Sequence, residues 1–85
     1  MVWMGDFNLE PTSSEYSLIN GISILNFTDT YRYLNTFSGY TGDFDEDHTP
    51  QKRIDYIMCS SDIIPQSNYV FCSISSDHCA VITQF

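Results

Sequence analysis

The chain has 85 residues, enough for one small domain with a modest core, since a chain this short buries only about 60–65% of its unfolded surface. Eleven acidic residues against three basic ones give a net charge of −8, which argues against the chain gripping a polyanionic backbone by itself. With 42% apolar and 15% aromatic residues it is no disordered tail, and it has neither a signal-peptide pattern nor an apolar run long enough to span a membrane, so an intracellular setting is favoured.

In chain order, Val2, Trp3 and Met4 predict a strand running into Gly5, Asp6, Phe7 and Asn8. A strand at the second residue with no preceding partner reads as the middle of a sheet cut off upstream. After the bend at Leu9 to Pro11, Thr12 and Glu15 have capping-box spacing and predict a helix over 13–20, with Tyr16, Leu18 and Ile19 inward and Gly21 at its end. Ile22, Ile24, Leu25 and Phe27 form an apolar connection to Asp29, which is expected to cap a second short helix through Leu34. Ser38 to Thr41 read as a turn into a brief strand.

The acidic loop that follows fails the calcium-loop test, because His48 stands where the sharp turn needs glycine and Ile54 where the bidentate glutamate belongs. Strands are predicted over 53–59, from Tyr69 to Cys72 and from Cys79 to Phe85, with Pro65 in a link. This order predicts an α/β (α+β) layer of mostly antiparallel sheet with two short helices. Cys59, Cys72 and Cys79 are odd in number, lack C-x-x-C spacing and have apolar neighbours. Buried free thiols are expected, with neither a zinc site nor a disulfide framework.

The chemistry-bearing residues are Asp6, Asn8, Asp55, Asp77 and His78, each at a strand mouth or on one strand face. Adjacent residues of extended backbone point to opposite faces, so Asp77 is poorly placed to orient the His78 ring. Asp55 is the better candidate for that task. Arg53, two residues away, is the plainer partner for Asp55 and the one that spacing alone favours; His78 is the chemically interesting one. A base, several carboxylates and an amide without a serine or cysteine nucleophile suit a hydrolysis in which Mg²⁺ (or Mn²⁺) bound by oxygens supports an activated water.

Gly5-Asp6-Phe7-Asn8, Asp29-Thr30-Tyr31-Arg32, Arg53-Ile54-Asp55-Tyr56-Ile57 and Ser76-Asp77-His78 together resemble the ordered C-terminal motifs of the endonuclease/exonuclease/phosphatase superfamily, with the DNase I and exonuclease III type of fold. The resemblance covers nearly the whole chain and implies a metal-dependent phosphodiester hydrolase. His78 would be the general base and Asp55 would hold its tautomer. Asp6 would orient or protonate at the scissile phosphate near the metal, and Asn8 would donate to a phosphoryl oxygen. Asp77, with Asp6, would bind Mg²⁺, while Thr41 matches a phosphate-contacting threonine.

The complete family domain is a four-layer α/β sandwich. The resemblance implies that residues 1–85 form a partial domain, its C-terminal half, lacking the N-terminal half that supplies further metal ligands. Weak or absent activity is therefore expected of the chain alone. The substrate would be a nucleic acid or a small or lipid phosphodiester, the acidic balance tilting toward the latter. A non-catalytic remnant serving as a binding module is the competing reading; metal binding by cysteine and histidine without catalysis has the wrong spacing.

Overall fold

A computed structural model describes residues 1–19, 27–35 and 39–85. The elements are β1 (Val2–Asp6), α1 (Ser14–Ile19), β2 (Phe27–Asp29), α2 (Thr30–Leu34), β3 (Gly42–Phe44), β4 (Pro50–Lys52), β5 (Asp55–Ser60), β6 (Ser67–Phe71) and β7 (Ala80–Gln84). Every described strand pairing is antiparallel, and the fold is α/β with two short helices, as the sequence leads one to expect. β5 is the central strand of a three-stranded sheet ordered β1-β5-β2, while β3-β4 and β6-β7 form separate two-stranded sheets.

The period of two along β5 sends Tyr56 and Met58 into the core, where they meet Tyr16 and Phe27 with Phe7 and Leu9 at the margin. Met58 is wholly buried, as expected of a long apolar side chain on the inward face of a central strand. The helix caps follow local chemistry. Asp29 caps α2, its Oδ1 accepting the Tyr31 and Arg32 N–H groups. At α1 the capping oxygen belongs to Ser13, whose Oγ accepts the Tyr16 N–H at 3.2 Å, one residue later than the Thr12 spacing suggests. The expected helix end at Gly21, the apolar residues Ile22 to Leu25 and the turn residue Ser38 lie outside the described residues.

The acidic loop is the turn of the β3-β4 hairpin. Asp45 Oδ1 accepts the N–H groups of Asp47 and Thr49, which leaves the other acids on the exposed rim. A buried polar cluster joins the β6-β7 hairpin to the central sheet. Thr30 Oγ1 donates to the Ile57 carbonyl at 2.8 Å, and Asn68 Nδ2 donates to both Thr30 Oγ1 and Thr83 Oγ1.

The expectation of three free thiols is corrected for two of them: Cys72 and Cys79 are joined by a disulfide. The register of β6 on β7 ends with Phe71 opposite Ala80, and one further step sets the two cysteines face to face. Only the pairing of two predicted strands reveals this. Cys59 is free and buried, as expected. Among the described residues no helix is long and apolar enough to cross a membrane.

Candidate active site

The β1-β5 register sets Asp6 directly opposite Asp55, bringing two acids 49 positions apart in the chain to one end of the sheet. Nothing in a ladder favours two carboxylates side by side. The imidazole that sits against both carboxylates comes from the turn before β7, where His78 Nδ1 lies 2.7 Å from Asp55 Oδ2 and Nε2 lies 3.7 Å from Asp6 Oδ2. Asp55 is the most enclosed of the three, its side chain 17% exposed against 35% for His78 and 47% for Asp6.

Arg53, the sequence-favoured partner of Asp55, is engaged elsewhere. It precedes β5, so strand alternation does not govern it, and its buried guanidinium pairs with Asp29. It also lies 5.0 Å from the Tyr31 ring and 4.7 Å from the Tyr56 ring. With Arg53 held by Asp29, Asp55 is left to His78.

The carboxylate–imidazole hydrogen bond makes Nδ1 the donor, which in the neutral ring leaves the Nε2 lone pair facing Asp6 and solvent. The hydrogen bond to Asp55 raises the His78 pKa above its ordinary value. Partial burial opposes the rise, and the charges of Asp55, Asp6 and Asp77 add to it. The loop is shaped by Ser76, whose Oγ accepts the His78 N–H at 3.1 Å.

Asp6 is oriented in turn by the bend after β1. Its Oδ1 accepts the Asn8 N–H at 2.8 Å, and Asn8 is exposed with a left-handed φ of 52°, a conformation asparagine tolerates better than most residues. A cleft of about 230 Å³ opens between Met4, Asp6, Asp55, Ile57, Cys79 and Val81. Asp6, Asp55 and His78 each offer a ligand atom within 4.8 Å of one another. Because Asp55 Oδ2 and His78 Nδ1 bond each other, Asp6 Oδ2 is the oxygen best left for a hard cation.

The remaining sequence-predicted residues are dispersed. Asp77 is exposed and lines a neighbouring depression with Phe44, His48, Ile74, Ser75 and Ser76, outside the three-residue group. Thr41 is wholly buried behind Asp55, its Oγ1 accepting the Ile54 and Asp55 N–H groups at 3.1 Å each. Two contributors escaped the sequence reading. Ser76 was seen only as part of a motif, and Gly42 matters because a Cβ there would lie 2.7 Å from Ile54 Cδ1 and 3.5 Å from His78 Cε1. Its signal is the absence of a side chain at the start of a strand, which alone points nowhere.

In comparison with known protein families, the endonuclease/exonuclease/phosphatase family model matches residues 1–78. No curated protein and no solved structure matches the chain.

Proposed function

Because the chain belongs to the endonuclease/exonuclease/phosphatase family, a group of nuclease- and phosphatase-type hydrolases acting on phosphodiesters, we propose that it carries the general-base half of a metal-dependent phosphodiester hydrolase site. The observation that carries this reading is the 2.7 Å bond between His78 Nδ1 and Asp55, with Nε2 turned toward Asp6. Neutral His78 takes a proton at Nε2 from a water positioned for attack on phosphorus. Asp55 keeps Nδ1 protonated, and its negative charge stabilises the imidazolium that forms. Asp6 orients the scissile phosphate, and the Asn8 amide donates to a phosphoryl oxygen as charge builds there.

Mg²⁺ or Mn²⁺ held by Asp6, with Asp77 in the neighbouring depression reaching it through water, would neutralise charge on the phosphoryl oxygens. The exposed carboxylates at these positions are the hard oxygen donors such an ion prefers. The balance of −8 favours a small or lipid phosphodiester over a long nucleic acid, since few cations are present to hold a polyanion.

The partner proposed for the chain is an N-terminal half of the same domain. Among the described residues β1 has a free edge, and Val2, Trp3 and Met4 are exposed along it, a combination soluble proteins usually cover. The setting proposed from sequence is intracellular; the Cys72–Cys79 bond pulls the other way, because disulfides persist in oxidising compartments.

The test is Mg²⁺-dependent cleavage of a generic phosphodiester by the domain completed with its N-terminal half. His78→Ala is expected to slow it by about 10²–10⁴-fold, the usual contribution of a general base. Equal rates with and without the imidazole would refute the mechanism. If the completed domain cleaves nothing, the binding-module reading takes its place.

A further inference from the structure

We propose that Thr41 is a positioning residue for the Asp55–His78 pair, setting the separation of carboxylate and ring by tying the first residue of β5 to the residue that follows His78. The proposal rests on the reading of His78 as a base held by Asp55, and it gives Thr41 a different task from the direct phosphate contact its motif position implies.

Asp55 opens β5 and His78, 23 positions on, lies in the turn before β7, so no ladder sets their distance. Thr41 lies outside both segments and is bonded to each of them. Its Oγ1 accepts the N–H groups of Ile54 and Asp55, which fixes the backbone from which the Asp55 carboxylate projects. Its carbonyl accepts the Cys79 N–H at 2.7 Å, which fixes the backbone immediately after His78. Its own N–H donates to the Lys52 carbonyl at 2.8 Å, anchoring the whole to the β3-β4 hairpin.

Thr41 is 0% exposed, so water cannot stand in for the hydroxyl if it is removed. The next residue reinforces the arrangement. Gly42 lets this segment run close beside the His78 ring, whose Cε1 would be only 3.5 Å from a Cβ placed there. Threonine suits the position because one small side chain supplies an oxygen able to accept two hydrogen bonds and a methyl group that can be buried.

The experiment uses the metal-free 85-residue chain and reads the His78 Nδ1–H proton by NMR, assigned by its disappearance in Asp55→Asn. Thr41→Val removes the hydroxyl at similar volume, and Thr41→Ser retains it. Backbone amide exchange in the β1-β5 ladder serves as the control for folding. Thr41→Val is expected to speed exchange of the Nδ1–H with water on the order of tenfold, as loss of the two bonds to the Ile54 and Asp55 amides predicts, while the ladder amides stay protected. Thr41→Ser is expected to remain near the unsubstituted rate.

An unchanged Nδ1–H in Thr41→Val overturns the proposal. So does equal loss of protection at the ladder amides, which would make Thr41 a general support of the fold. Because no substrate is present, a failure of the hydrolase reading leaves this result intact. Absence of the Nδ1–H signal from the unsubstituted chain would remove the Asp55–His78 pair itself.

Discussion

His78 couples folding and chemistry in opposite senses. Its pKa in the folded chain is raised, chiefly by the hydrogen bond to Asp55, so its contribution to stability is complete below the ordinary histidine value and is lost as pH climbs through the raised one. A base must be neutral, so activity is expected to appear over the same window in which this stabilisation disappears. Denaturant titrations of the metal-free chain on either side of that window should show the stability loss, and Asp55→Asn should flatten it. Arg53 and Asp29 make the corresponding case in the core. Both are buried and paired, and removing one partner strands the other charge. Asp29→Ala is expected to cost about 3–5 kcal/mol in urea unfolding, with loss of the α2 cap included. Sequence favoured Arg53 as the partner of Asp55 because distance along the chain was the only measure to hand. Folding brought Asp29, 24 positions away, to the guanidinium instead.

The β6-β7 hairpin shows how an element turns a short polar motif into a site. Its loop, residues 73–78, carries Ser76, Asp77 and His78 and is closed at the base by the Cys72–Cys79 bond. Closing a loop of this length should stabilise the folded chain by about 2.5 kcal/mol on the chain-entropy estimate. Reduction with a dithiol is therefore expected to lower the urea midpoint by a corresponding amount, and Cys72→Ser should reproduce the loss without reductant. Equal midpoints in the oxidised and reduced chain would show that the loop is held by its hydrogen bonds alone. Strand existence was legible here from the β-prone runs on either side of Ser76. The cysteine pairing was not, because it depends on register, and a slip of one residue would have turned the two sulfurs to opposite faces.

At the scale of the molecule, the exposed face of β1 and its edge, free among the described residues, dominate. Trp3 is the only tryptophan and is 43% exposed, with its ring centroid 4.8 Å from that of Phe7. If an N-terminal half covers this strand, adding it should shift Trp3 emission to shorter wavelength and protect it from a soluble quencher. Unchanged emission in a complex that restores activity would place the contact elsewhere. The net charge of −8 also predicts self-repulsion that salt screens, so moderate ionic strength should raise the stability of the isolated chain. The sequence by itself determined the β-prone runs of β1, β5, β6 and β7, the α2 cap at Asp29, the burial of Tyr16 and the identity of the residues able to do chemistry. These follow from side-chain period and functional-group type, which are local properties. Tertiary structure decided which of those residues meet. Asp6 faces Asp55 through a strand register, His78 reaches Asp55 because a separate hairpin docks beside β5, and Asp77 stands apart from that group. Such contacts depend on how sheets pack against one another, and no spacing along a chain encodes that directly.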